Sequence, residues 1–482
     1  MKRLVILAIL ATMVLGMAGT ASAVDLEAKG QFQFQANIMD NSDFLSAKHS
    51  GSQEDDLNFW FRARTQFRFI ANENLMSELF VEYRTRLGDS NNYASSVLEN
   101  GNDNSNGARN LNIKRVFLQY RFPDTEVLTT AGIFSINLPG AAAGNMVLGD
   151  LDAGALTVSS PITDQISVAV GYVRAYDANS TDDNTFGKKI FGNAANNQDD
   201  ELDLFYAALP VTIDGFEATP YVMYGNIGQK TFSAVASMPG LTAPNAVAFN
   251  KDADAWWAGT SFAMTAFDPI VLKADFVYGS VDANQRQNDR EGWGMDASLA
   301  YTGLDFVQPK LVFAYTSGED DKLDNGSERL PVVNNDWAFG SYYYGDSALT
   351  KSDLDSNQQV GQMTVGLSFE GISFLDKLTH DLHFLYIKGT NDADLIKNNP
   401  AGLTNISPNG QFLTDKDQAW EVDFNTNYQI YDELAAIVEF GYIGMDLDKD
   451  TWSGYTDTNG NNRLDGKDDA AFKLAVGLVY AF

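Results

Sequence analysis

The stretch Asp25-Leu26-Glu27-Ala28-Lys29-Gly30-Gln31-Phe32-Gln33-Phe34-Gln35-Ala36-Asn37-Ile38 separates into two registers. Its even positions are all apolar or glycine, and its odd positions are all polar or charged. A period of two over fourteen residues describes a long β-strand with one apolar and one polar face. The same text recurs: Leu57, Phe59, Phe61, Phe67 and Phe69 alternate with Asn58, Arg62, Arg64, Gln66 and Arg68. Further on, Trp420, Val422, Phe424, Tyr428 and Ile430 alternate with Glu421, Asp423, Asn425, Asn427 and Gln429.

A soluble sandwich alternates too, but its strands run about five or six residues. A membrane barrel needs strands of roughly 9 to 11 residues with an apolar exterior and a wettable interior. The lengths here favour an all-β fold, a transmembrane antiparallel β-barrel. Strands are expected near 25–38, 56–71, 75–87, 110–122, 126–135, 153–161, 166–176, 201–211, 216–227, 254–267, 270–280, 292–302, 306–317, 359–370, 379–389, 418–430, 433–446 and 471–482. That is eighteen, or sixteen if the weakest segments, such as 153–161, do not form. Tight turns such as Asn72-Glu73-Asn74, Asp214-Gly215 and Asp376-Lys377 alternate with long polar segments, among them 88–109, 177–200, 318–358 and 448–469. Short periplasmic turns against long outer loops is the pattern of an outer-membrane barrel with both ends periplasmic. The last strand carries Phe472, Leu474, Val476, Leu478, Tyr480 and Phe482 on one face. Tyr480 and Phe482 give the chain an aromatic carboxy-terminus that resembles the signal read by the barrel-assembly machinery.

The beginning of the chain is a different kind of text. Lys2 and Arg3 precede an apolar run from Leu4 to Met17, and Ala21-Ser22-Ala23 supplies a small-x-small cleavage pattern. Residues 1–23 are therefore expected to be a cleaved signal peptide and 24–482 a single barrel domain. The run is short for a spanning helix, and no stretch of 18 apolar residues follows. The 482 residues carry 64 acids against 33 bases and a net charge of −31, which becomes about −33 once Lys2 and Arg3 are removed. That balance disfavours nucleic acid. The absence of cysteine excludes a disulfide scaffold and a thiolate metal site.

A barrel this wide holds water unless something fills it. Seven arginines fall in antiphase to the apolar face: Arg62, Arg64 and Arg68 on the second strand, Arg84 and Arg86 on the third, Arg115 and Arg121 on the fourth. Charges on the lipid face cost about 2–4 kcal/mol near the midplane, so these are expected to form one luminal patch, interleaved with Glu78 and Glu82. The segment 136–152 after the fifth strand is rich in glycine and alanine and contains Asn145, Asp150 and Asp152. It is expected to fold into the lumen as the third outer loop and to set its carboxylates opposite the arginines, a transverse field that would favour polar solutes.

The order of Ala28-Lys29-Gly30, Ala71-Asn72-Glu73-Asn74-Leu75, Leu138-Pro139-Gly140, Ser160-Pro161-Ile162-Thr163-Asp164 and Ala208-Leu209-Pro210-Val211-Thr212 along the first half of the chain resembles the homotrimeric outer-membrane porins of sulfate-reducing and related bacteria, and more broadly the general trimeric porins. The resemblance implies a homotrimer of separate pores in the bacterial outer membrane, passive diffusion of small hydrophilic solutes and ions, a third loop inside each channel and a second loop reaching a neighbour. Membrane lipid and lipopolysaccharide are the implied surroundings. The alternative is a substrate-specific, sugar-type channel of eighteen strands, with Trp256, Trp257, Tyr342, Tyr343 and Tyr344 as candidates for an aromatic path.

No cofactor is required by this reading. One segment matches a calcium loop: Asp457, Asn459, Asn461, Asp465 and Asp468 stand at positions 1, 3, 5, 9 and 12, with Leu464 at position 8. Asn462 replaces the usual glycine, Asp468 replaces glutamate, and a solvated acidic turn is the competing reading. An enzyme is not expected. The histidines are His49, His380 and His383, and the last two, three apart on a strand, face opposite ways and cannot share a metal.

Overall fold

In the computed structural model the residues described are 24–41, 56–87, 111–177, 201–231, 240–241, 243, 249–322, 324–336, 338–343, 345, 347–349, 360–399, 412–455, 462, 464 and 470–482. The expected signal peptide, 1–23, lies outside them. Nineteen strand segments make one sheet: β1 (Asp25–Asp40), β2 (Asp56–Asn72), β3 (Leu75–Arg86), β4 (Leu111–Arg121), β5 (Leu128–Ile136), β6 (Leu151–Pro161), β7 (Ser167–Asp177), β8 (Glu201–Ala208), β9 (Val211–Ile213), β10 (Phe216–Ile227), β11 (Ala253–Phe267), β12 (Ile270–Asp282), β13 (Arg290–Tyr301), β14 (Gln308–Thr316), β15 (Gln362–Leu375), β16 (Leu378–Gly389), β17 (Gln418–Tyr431), β18 (Leu434–Asp446) and β19 (Ala470–Ala481). One short helix, α1 (Ala393–Asn398), sits after β16.

Apart from β8 and β9, consecutive strands pair antiparallel, and β1 pairs with both β2 and β19, so the sheet closes on itself. β8 and β9 share a single partner: Ala208 lies opposite Tyr221, and Val211 opposite Ala218, both on β10. They are one wall strand interrupted at Leu209-Pro210, because Pro210 has no N–H for the ladder. Its carbonyl still accepts from Ser167 N–H at 2.9 Å. The wall therefore has eighteen strands, and 153–161, the weakest of the expected segments, is formed as β6.

The seam between first and last strands is closed by the terminal residue. Gly30 N–H donates to the Phe482 carbonyl at 2.9 Å, and Phe482 N–H donates back at 3.0 Å. The Phe482 ring lies over Gly30, where an added Cβ would meet the ring at 2.5 Å and the Arg64 carbonyl at 2.6 Å. Phe32 and Tyr480 stack beside it, each 5.8 Å from the Phe482 ring. Gly30→Val is thus expected to destabilise the closed barrel by about 1–3 kcal/mol through overpacking. A lower temperature for loss of the folded gel mobility in detergent would register this, and a melting temperature equal to the parent's would show the contact to be slack.

Outward-facing side chains form two aromatic belts separated by aliphatic residues. Near the long loops, Phe205, Tyr224 and Trp256 adjoin in series, as do Trp293 with Tyr315 and Tyr386 with Trp420. Tyrosine hydroxyls of this belt donate to Asp203, Asp254, Glu291 and Gln418. Near the short turns, Tyr120 adjoins Phe122 and Phe306 adjoins Phe374, with Phe267 and Tyr431 strongly exposed. Amphipathic rings favour a level where one end is apolar and the other wet, which is the girdle arrangement of membrane barrels.

The inner face is not uniformly polar. On β8 and β10–β12 it holds Leu202, Leu204, Met223, Ala255, Trp257 and Val277, all buried. They share one apolar cluster with Leu138, Met146, Val147 and Leu148 from the β5–β6 connection and Leu330 and Val332 from the β14–β15 connection.

Candidate functional site: the inner wall and the loops against it

β2 and β3 carry the cations. Their register sets Arg62 directly opposite Arg84, Arg64 opposite Glu82, Arg68 opposite Glu78 and Trp60 opposite Arg86. Glu82 binds Arg64 at 2.5 Å and Glu78 binds Arg68 at 3.1 Å. Arg62 is bonded to the neutral side chains of Gln31, at 3.4 Å, and Gln33. The Arg84 guanidinium lies 4.8 Å over the Trp60 ring. Among the described residues no carboxylate pairs with Arg62 or Arg84, so two like charges stand side by side on adjacent strands.

The other two arginines are placed elsewhere. Arg121 sits by the short turns, where its N–H donates to the Asn74 carbonyl at 2.8 Å and its guanidinium pairs with Glu126. Arg115 lies opposite Phe80 and Ile113 opposite Val81, which leaves Lys114 as the extra residue of a β-bulge. Lys114 and Arg115 both bind Asp152, at 2.8 and 2.7 Å, and Arg115 also binds Asp150 at 3.2 Å. The expected arrangement of Asp150 and Asp152 opposite the arginines across a gap is replaced by direct ion pairs. The reason is strand parity: β6 already starts at Leu151, and Leu151 and Ala153 turn into the apolar cluster, so Asp152 between them points the other way.

Asn145 organises the β5–β6 connection. Its Oδ1 accepts from Val147 and Leu148 N–H at 2.8 and 2.9 Å, and its Nδ2 donates to the Pro139 carbonyl at 2.7 Å and to the Tyr221 hydroxyl at 3.3 Å. The N–H groups of Ala141 and Ala142 donate to Asp275 on β12. The same connection pairs with the β14–β15 connection: Val333 and Asn334 N–H donate to the Val147 carbonyl at 3.0 Å, and Ala338 N–H to Ala143 at 2.8 Å. The latter connection continues to β17 and β18. Ser341 N–H donates to Asp423, Tyr342 and Tyr343 N–H to Glu421, and Ala348 and Leu349 N–H to Glu439.

Of the aromatic residues expected along a sugar path, the four that are described do not line one. Trp257 is buried, with its indole N–H on the Pro331 carbonyl at 2.9 Å, while Trp256 is on the outer face. Tyr342 and Tyr343 are fully buried, and Tyr344 lies outside the described residues. The calcium-loop residues Asp457, Asn459, Asn461, Asp465 and Asp468 also lie outside them. Among the described residues no group of three or more metal-ligating side chains occurs. His380 stacks on Phe424 at 5.2 Å, whereas His383 bonds Ser368 at 2.9 Å on the opposite face.

At the long-loop end, Glu319 ties the β14–β15 connection together and joins it to the β16–β17 connection. Its carboxylate accepts from Ser327 Oγ at 2.7 Å, its N–H donates to Asn391 Oδ1 at 3.0 Å, and its carbonyl accepts from Asp392 N–H at 2.8 Å. Burial pushes the Glu319 carboxyl up to about 7, against the restraint of Ser327, Arg329 and Arg290. Burial likewise lowers the Arg329 guanidinium to about 10. Arg329 donates to the Val360 carbonyl at 2.6 Å and lies 4.8 Å over the Phe412 ring.

No protein-family profile matches the sequence, and no curated protein matches it. Solved structures do match in fold. OccAB4 of Acinetobacter baumannii is 12% identical with a TM-score of 0.53, over 96% of this chain and 100% of that one. OpdO of Pseudomonas aeruginosa is 10% identical with a TM-score of 0.52, over 95% and 97%. A BenF-like porin of Pseudomonas fluorescens Pf-5 is 10% identical with a TM-score of 0.52, over 95% and 99%. At these identities the likeness is one of fold: the closed eighteen-strand barrel.

Proposed function

We propose that this chain is an outer-membrane porin, a water-filled channel through which small hydrophilic solutes and ions diffuse passively. The observation that carries the reading is the pairing of an apolar, double-belted exterior with Arg62 and Arg84 on the inner face, side by side and, among the described residues, without a carboxylate partner. Cations in that position are tolerable where water and mobile anions reach them, and costly in a dry interior. The narrow part of the channel lies between these arginines and the two loops around residues 137–150 and 331–349. Residues 1–23 direct export and are removed. The barrel-assembly machinery inserts the mature chain among lipid and lipopolysaccharide, and three copies associate.

A second reading, a channel selective for a class of solute, is favoured by Trp60 beneath Arg84, a flat aromatic surface beside two cations. Planar-bilayer recording separates the two. Current that rises linearly with salt and is unaffected by sugars or small carboxylates supports general diffusion, whereas saturable block by one of them supports selectivity. A purified, membrane-inserted chain that passes no current would end both.

A further inference from the structure

We propose that Asp275, Glu421, Asp423 and Glu439 are positioning residues that pin two loops across the lumen as one partition, and so set the cross-section of the path beside Arg62 and Arg84. The inference rests on the channel reading and adds what regulates the bore. A chain segment that turns into a barrel brings main-chain N–H groups that need acceptors. The wall strands have already committed their own carbonyls to the ladders, so acceptors must come from side chains. A carboxylate suits this best, because its two oxygens take several N–H donors and the bonds are charge-assisted.

The sequence supplies carboxylates at these places. Asp275 takes the N–H groups of Ala141 and Ala142 at 2.7–2.9 Å. Asp423, Glu421 and Glu439 take five more, from Ser341, Tyr342, Tyr343, Ala348 and Leu349, at 2.7–3.2 Å. All four acids are buried, as is Lys473, which donates to the Ser341 carbonyl and lies 3.7 Å from Glu439. Two glycines let the segment lie close. A Cβ on Gly441 would fall 2.7 Å from Tyr342 Cβ, and one on Gly477 would fall 2.5 Å from Leu349 Cδ2. The segment ends beside the cations: Leu349 accepts from Gln33 Nε2 at 2.7 Å, and Gln33 accepts from Arg62. The hydrogen bonds described for 331–349 go to β1, β11, β15, β17, β18 and β19 and to the neighbouring loops, and none of those described goes to β2–β4, the side on which the proposal places the open path.

The test is single-channel recording of the full mature chain with Glu421→Gln, Asp423→Asn and Glu439→Gln combined. Conductance is expected to rise about twofold, with passage of larger neutral polymers, as the constriction widens. The chain has no cysteine, so adding Leu349→Cys and Gly477→Cys to the same variant allows rescue: oxidation should restore the parent conductance and reduction should abolish the rescue. Gly477→Leu, which displaces Leu349 while leaving every carboxylate in place, should raise conductance as well and decides the matter if the triple variant does not assemble. Parent-like conductance and size cut-off in these variants overturn the proposal while leaving the channel reading intact. A parent chain that does not conduct overturns the channel reading itself.

Discussion

Replacing Arg62 and Arg84 together with glutamine is expected to shift the reversal potential of the reconstituted channel toward the cation side by tens of millivolts in a tenfold salt gradient, where the limit for a monovalent ion is about 59 mV. The two guanidinium groups occupy directly opposed positions on β2 and β3, and among the described residues the partners of Arg62 are the neutral Gln31 and Gln33. At an effective dielectric near 20, an anion about 4 Å from one such group gains about 4 kcal/mol, several times thermal energy. Removing both therefore removes most of the local preference for anions. Arg121→Gln is the matched control, because Glu126 already neutralises that charge beside the short turns, and it should leave the potential nearly unchanged. Equal shifts from the double variant and the control, or none from either, would take the constriction away from β2 and β3.

The second large effect concerns Glu319 and pH. Burial raises its carboxyl from 4.5 to about 7, so the folded loops bind its proton more tightly than the unfolded chain does. A group shifted upward in this way contributes against stability as it ionises. The packing of the loops is most favourable below about pH 4.5 and weakens as pH rises through 7, by an amount on the order of 3 kcal/mol. Glu319→Gln keeps an acceptor for Ser327 and cannot ionise, so its loops should hold at pH 8 as they do at pH 5. Hydrogen exchange at residues 319, 327 and 392, corrected for intrinsic rates, reads this directly. Protection that falls equally with pH in parent and variant would exclude Glu319 as the cause.

Period-two text was enough to place all eighteen wall strands, because membrane strands are long and their outer faces answer to a single solvent. Leu209-Pro210 interrupts β8 and β9 without altering the count. The strand positions of Arg62, Arg64, Arg68, Arg84 and Arg86 on β2 and β3 are legible for the same reason. Lys114 was not: a bulge adds one residue to β4, and nothing in Ile113-Lys114-Arg115-Val116 marks it before the pairing is known. The place of Asp152 is not legible, because nothing in Gly149-Asp150-Leu151-Asp152 marks the wall as beginning at Leu151. Glu421 and Asp423 were recognisable as inner-face residues, but their partners are backbone groups of Ser341, Tyr342 and Tyr343, and irregular backbone carries no periodic signature. Only the fold brings residues about 80 positions apart into contact.

The apolar cluster on the inner side of β8 and β10–β12 makes the barrel mechanically lopsided. One flank is sandwiched between an outer and an inner oily layer, like the core of a water-soluble protein, while among the described residues β2–β4 contribute nothing to that inner layer. Thermal breathing should therefore be concentrated on the arginine flank, and calorimetric unfolding in detergent should show a heat-capacity increment that a tube full of water would lack.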